Sequence, residues 1–302
     1  MTNHSYALII ANENYLQLEV PNLFDVILDT LLDTLKTMPF LFVVYFILEF
    51  LHKKMRSMGS IRKKSNGWGP LVGALTGCFP QCGFSAAAAS LYSGGAIGAG
   101  TLIAVFISTS DAALPIFLSH ASQWGQILPF LAAKVALALI AGYVLQFTVF
   151  RRDIRSGAKA GHEDPGCGCS HEHASPVWGA LAHTLKISAF MAGVLLVINL
   201  CVFWIGQERV GAIFLEGSLL QPILAALIGL IPGCGTSVIL TELYLSGTLS
   251  FGAAVAGLST GAGFGFLVLF RENRPLRDSL RIAWYSYLCA ALGGVAIQQL
   301  FH

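Results

Sequence analysis

The chain has 302 residues and a formal net charge of +2; 55% of its residues are hydrophobic and only 11% charged. Soluble domains carry roughly 25% charged residues, so a soluble enzyme, a coiled coil, a disordered chain and a disulfide-stapled secreted domain all fit poorly. The charge is too small for nucleic acid. A polytopic α-helical membrane protein remains, supported by a mean hydropathy of +0.69 and 32 glycines.

Residues 1–34 read as an extracytoplasmic lead-in. Tyr6 to Ile10 is too short to span, and Leu23, Phe24, Ile27, Leu28, Leu31 and Leu35 form one amphipathic face. No Lys or Arg occurs in residues 1–30, so no signal peptide is expected. A spanning helix needs about 20 mostly apolar residues, which predicts spans at 35–51, 97–119, 127–150, 184–205, 249–270 and 279–301. Two further apolar stretches, 69–93 and 218–246, are interrupted by Pro80-Gln81-Cys82-Gly83 and Pro232-Gly233-Cys234-Gly235. Proline removes a backbone donor and clashes with the preceding turn. Non-helical backbone survives in a bilayer only where protein or water surrounds it, which puts both breaks at the protein's centre.

Basic residues cluster in 52–68 (Lys53, Lys54, Arg56, Arg62, Lys63, Lys64), 151–159 (Arg151, Arg152, Arg155, Lys159) and 271–281 (Arg271, Arg274, Arg277, Arg281). If the broken stretches are kinked spans, the middle cluster faces the other two across the membrane. If they are re-entrant hairpins, six crossings put all three clusters in the cytoplasm, as the positive-inside rule favours. The hairpin reading places both termini outside.

A shift of 152 residues aligns Pro80, Cys82, Gly83, Ser85, Leu91, Tyr92, Gly95 and Gly100 with Pro232, Cys234, Gly235, Ser237, Leu243, Tyr244, Gly247 and Gly252. The chain therefore reads as two membrane repeats, 35–150 and 177–302, joined by a cytoplasmic linker at 151–176. Three crossings per repeat is an odd number, so the fold expected is all-α, with two inverted repeats of three spanning helices and one broken hairpin each. Paired broken helices in inverted repeats point to a secondary transporter with its site near the midplane. Stripes at four-residue spacing (Ala96, Gly100, Ala104, Ser108, Ala112; Gly257, Gly261, Gly265) suit close helix packing.

Charge inside the membrane is costly and by default functional. Asp111, in Ser108-Thr109-Ser110-Asp111 within the 97–119 helix, suits a divalent cation or a proton. Glu242, aligned with Ser90, is a second candidate carboxylate. Glu49 and Lys134 are expected nearer helix ends, snorkelled or paired. Cys82 and Cys234 at equivalent breaks are expected to approach each other, and thiolates favour Zn, Cu(I) and other thiophilic ions. The half-helix N-termini behind them favour anions, so a cation and an oxyanion both stay open as cargo. The candidate substrate-binding set is Gln81, Cys82, Ser85, Ser108, Thr109, Asp111, Cys234, Ser237, Glu242 and Thr260. In the linker, His162, Cys167, Cys169, His171 and His173 lie among three acids; neutral imidazole and thiolate are transition-metal ligands. They read as a flexible metal-capturing or sensing loop.

Gly77 to Ser85, the Ser108-Thr109-Ser110-Asp111 run and Gly229 to Gly235 together resemble the ArsP-related family of ten-helix heavy-metal exporters, whose labels include arsenic efflux protein and manganese transporter. The resemblance runs from about residue 35 to 300. It implies a permease of the bacterial inner membrane with about ten helical segments, a count that six spans and four hairpin arms also reach. The function expected is secondary active efflux of a metal or metalloid ion by alternating access. The alternative is a channel, or a permease for another small ion or organic solute, with the loop as a metal sensor. No enzymatic activity and no cofactor are expected. The partners are the cargo ion and the lipid bilayer, with a homodimer compatible.

Overall fold

The computed structural model describes residues 61–79, 82–109, 113–119, 124–150, 220–232, 234–273 and 276–300, with single helical positions within 28–46 and 181–197. All regular structure among them is helical. The lead-in at 1–27, the linker at 151–176 and most of the spans predicted at 35–51 and 184–205 lie outside the described residues. Among the described residues, ten helices fall into two sets of five. The first is α1 (Ile61–Gly77), α2 (Cys82–Ser93), α3 (Ala99–Ser108), α4 (Ala113–Ser119) and α5 (Trp124–Phe147). The second is α6 (Gln221–Gly229), α7 (Cys234–Leu245), α8 (Phe251–Thr260), α9 (Phe264–Glu272) and α10 (Leu276–Leu300).

Each set packs in the same way. Helix α3 lies between α1 and α5, and α8 lies between α6 and α10. Small residues let these backbones approach without an intervening side chain. A methyl group added at Gly77 would sit 2.0 Å from Ser108 Oγ and 2.7 Å from the Val105 carbonyl. One added at Gly229 would sit 2.0 Å from the Gly257 carbonyl and 2.3 Å from Thr260 Oγ1. Gly142 in the same way faces Ala104, Gly100 and Pro70, while Gly294 faces Ala256, Gly252 and Pro222. Every residue named for the second set lies 152 positions after its counterpart in the first.

These contacts also fix helix directions. Gly69 meets Thr101 and Gly77 meets Ser108, so α1 runs parallel to α3. Helix α2 returns beside α3 through a turn in which Ala96 N donates to the Leu91 carbonyl at 2.8 Å. Gly100 faces Gln146, so α5 runs antiparallel to α3. The start of α10 meets the end of α2, where Tyr92 Oη donates to Asp278 Oδ2 at 2.6 Å. The far end of α10 meets the start of α8, where Gly252 faces Gly294 and Gln298. Helices α3 and α8 therefore begin at opposite ends of the bundle.

The two sets interlock. Helix α2 packs on α9, and α7 on α4. Phe106 stacks edge-on to Phe266 at 4.9 Å between ring centres, and Phe117 meets Tyr244 at 5.9 Å. One apolar core joins Ala86, Leu102 and Phe106 to Phe264, Leu269 and Ile282; a second joins Ala113, Phe117 and Phe130 to Leu240, Val255 and Leu258. Among the described residues, four runs are long and apolar enough to cross a membrane: Ala99–Leu118, Trp124–Phe147, Phe251–Glu272 and Leu276–Leu300. The first and third are mostly buried inside the protein. The other two form its outer face, exposing Leu128, Ile140, Val144, Leu280, Trp284 and Leu292.

The predicted spans at 97–119 and 249–270 need correction, because neither is one continuous helix. Helix α3 stops at Ser108, where Thr109 turns to ψ 131°, and helix resumes at Ala113. Helix α8 stops at Thr260, and Gly263 takes φ 51° and ψ −125° before α9 starts. Only glycine adopts that backbone readily. Among the described residues, each set of helices thus contains two interrupted elements rather than the one expected.

Candidate functional site

The Pro-x-Cys-Gly sequences act locally as anticipated. Helix α1 ends at Gly77 and α2 begins at Cys82; α6 ends at Gly229 and α7 begins at Cys234. Each cysteine is thus the first residue of a helix whose leading N–H groups have no partner within it. The side chains of Cys82 and Cys234 lie outside the described residues, as do Gln81 and Asp111.

The interruptions meet at one level of the bundle. Gly77 and Gly229 lie against Ser108 and Thr260, the last residues of α3 and α8. A methyl group on Gly265, at the start of α9, would come within 2.9 Å of Ser85 Cβ. One on Gly261 would come within 3.6 Å of Ser237 Oγ. Ser85 and Ser237, each three residues after its break cysteine, therefore both adjoin the α8–α9 interruption. Both are buried, with relative exposures of 0% and 9%.

Three other candidate hydroxyls are buried and committed to backbone carbonyls. Ser108 Oγ donates to Ala104 at 2.9 Å, and Thr109 Oγ1 to Val105 at 2.7 Å. Thr260 Oγ1 donates to Ala226 of α6 at 2.8 Å, tying α8 to its neighbour. Glu242 stands apart: it is exposed on α7 and is not gathered with the buried group.

Lys134 is the residue that the sequence reading misplaced. It is neither near a helix end nor snorkelled. It sits in the middle of α5 with 0% exposure. Its ammonium donates to the carbonyl of Thr109 and, at 2.9 Å, to that of Leu258, and lies 5.7 Å from the centre of the Phe130 ring. Both carbonyls belong to the terminal turns of interrupted helices, where C=O groups lack intrahelical partners and the helix dipole is negative. The ammonium therefore bridges the two halves at the level of the breaks. The missing signal was positional: α5 starts three residues before the predicted 127–150 span, which moves Lys134 to its centre.

Two serine hydroxyls at 0% exposure, Ser259 Oγ and Ser286 Oγ, have no hydrogen-bond partner among the described residues. Among those residues, no three His, Cys, Asp or Glu side chains gather into a metal-binding group. The loop candidates His162, Cys167, Cys169, His171 and His173 lie outside them. What the described centre offers is buried hydroxyls and helix-end carbonyls, the fixed ammonium of Lys134, and at the first break the half-buried Cys78 thiol, which donates to the Ala74 carbonyl at 3.2 Å.

A family model described as "Putative, 10TM heavy-metal exporter" (ArsP_2) matches residues 22–202 and 177–301, nearly the whole chain. No curated protein and no solved structure matches.

Proposed function

Because the chain belongs to the ArsP_2 family and is a multi-pass membrane protein, we propose that it is a secondary transporter moving a metal or metalloid ion out of the cytoplasm by alternating access between two oppositely inserted repeats. The observation carrying this reading is the convergence of four interrupted elements on one buried level, bridged by Lys134. Discontinuous helices meeting at the midplane are how carriers expose backbone ends to cargo without exposing them to lipid.

The contact registers support the insertion. Helix α1 rises parallel to α3, and α2 returns beside it, so the 69–93 stretch enters and leaves on one side as a re-entrant hairpin. The 218–246 stretch does the same on the other side, since α8 begins at the opposite end of the bundle. The Tyr92–Asp278 contact joins two segments that the positive-inside count puts in the cytoplasm. Its counterpart, from Tyr244 Oη to Gln126 Oε1, joins two segments that the count puts outside. Both chain ends then lie outside the cytoplasmic membrane.

In this scheme Cys82, Cys234, Gln81 and Asp111 join Ser85 and Ser237 around the cargo, and the 162–173 loop delivers thiophilic ions from the cytosol. The test is a metal and metalloid sensitivity panel in cells lacking or overproducing the protein, read by intracellular elemental content. Overproduction lowers the content of the exported element, and vesicles show saturable counterflow of it. Unchanged content across the panel refutes export, and conduction without counterflow refutes a carrier.

A further inference from the structure

Lys134 marks a cation position, and the duplication supplies a second copy of that position without the lysine. In the first copy the ammonium lies between the carbonyl of Thr109, at the end of α3, and that of Leu258, in the last turn of α8. The 152-residue correspondence, obeyed contact by contact at Gly77/Gly229, Gly100/Gly252 and Gly142/Gly294, carries Thr109 to Gly261, Leu258 to Phe106 and Lys134 to Ser286. The same elements pack there, since α10 lies against both α8 and α3.

Serine carries no charge and is several methylenes shorter than lysine. The Ser286 hydroxyl is fully buried and has no partner among the described residues. The Gly261 carbonyl, at the end of α8, receives no hydrogen bond among those residues. By that correspondence the same two helix ends, of α3 and α8, turn a second pair of carbonyls toward α10, where serine stands in place of the ammonium. A buried hydroxyl left unsatisfied is costly, and carbonyls at interrupted helix ends together with a hydroxyl are the ligands that alkali cations take.

We propose that the position bounded by Ser286 Oγ and the carbonyls of Gly261 and Phe106 binds a free alkali cation, which serves as the coupling ion of transport. One half carries its cation covalently, as Lys134; the other exchanges it with the solution. The coupling role rests on the transport reading above. The binding does not.

The experiment measures thermal unfolding of the purified full-length protein in detergent, in sodium, potassium, lithium or choline chloride at equal ionic strength, together with radioactive sodium binding. Wild type unfolds on the order of 5 °C higher in a saturating alkali salt than in choline, and Ser286→Ala loses that difference. Ser286→Lys, which restores the tethered ammonium, is indifferent to the salt and binds no sodium. If this variant fails to fold, the Ser286→Ala comparison decides. Equal unfolding temperatures for wild type in choline and in every alkali salt overturn the proposal, as does full salt dependence in Ser286→Ala. Specific cation binding with no metal flux in any salt upholds the site but refutes transport; metal flux that is equal in choline and alkali salts overturns the coupling role.

Discussion

Tyr92 and Asp278, 186 positions apart in the chain, meet at 2.6 Å and tie the end of α2 to the start of α10. The Asp278 carboxylate also accepts from Asn273 Nδ2 at 3.0 Å, which ties the end of α9 to the start of α10. A hydrogen bond to a charged group contributes roughly 1.5–3 kcal/mol. Tyr92→Phe should therefore lower the unfolding free energy by about that amount. A double-mutant cycle with Asp278→Asn should return a coupling of about 1 kcal/mol or more, read by thermal unfolding in detergent. Additive single effects would show that the contact does not join the halves.

The close approach of α6 and α8 predicts an asymmetric response to one methyl group. Gly229→Ala drives its Cβ into the Gly257 carbonyl, which is backbone and cannot rotate away. Overpacking of this kind costs about 1–3 kcal/mol, and the unfolding temperature should fall accordingly. Gly125→Ala, with nothing within 4 Å of the new carbon, should change stability by less than about 0.5 kcal/mol. Equal effects at the two positions would contradict the packing.

Lys134→Met removes a donor to the Leu258 carbonyl from outside its helix and strips the bridge between α3 and α8. Each buried carbonyl left unpaired costs about 1–3 kcal/mol. The variant should unfold earlier and lose at least about ten-fold in metal flux in vesicles. Asp111→Asn, by contrast, should abolish flux while leaving expression and stability near wild type. A Lys134→Met variant with wild-type flux would reduce the ammonium to a packing element.

Alanine at His162, Cys167, Cys169, His171 and His173 together removes the soft ligands of the linker. If the loop captures cargo, the half-saturating metal concentration should rise about ten-fold while the maximal vesicle flux is retained. A matching fall in maximal flux would put the loop in the translocation step instead.

The Pro-x-Cys-Gly breaks were legible in the sequence because proline and glycine act on the backbone within one turn. The 152-residue repeat was legible because whole packing stripes were duplicated. The interruptions after Ser108 and Thr260 were not, since residues 97–119 and 249–270 are as apolar as continuous spans. Only the close spacing of Gly261, Gly263 and Gly265 hinted at the second. Hydropathy averages over about 20 residues and cannot see a three-residue break. The role of Lys134 depends on contacts with residues 25 and 124 positions away, which no local pattern encodes. Glu242 is exposed rather than buried with the serines for the converse reason: its charge was visible in the sequence, but the face of α7 that carries it was not.

The proposed opposed insertion of the two repeats is tested most directly at a pair of equivalent exposed turn residues, Gly94 after α2 and Ser246 after α7. Each is replaced singly by cysteine in a cysteine-depleted background and exposed in intact cells to a membrane-impermeant maleimide. Labelling of Ser246→Cys from outside, with Gly94→Cys labelled only after the membrane is opened, is the predicted result. Both positions reacting from the same side would contradict it.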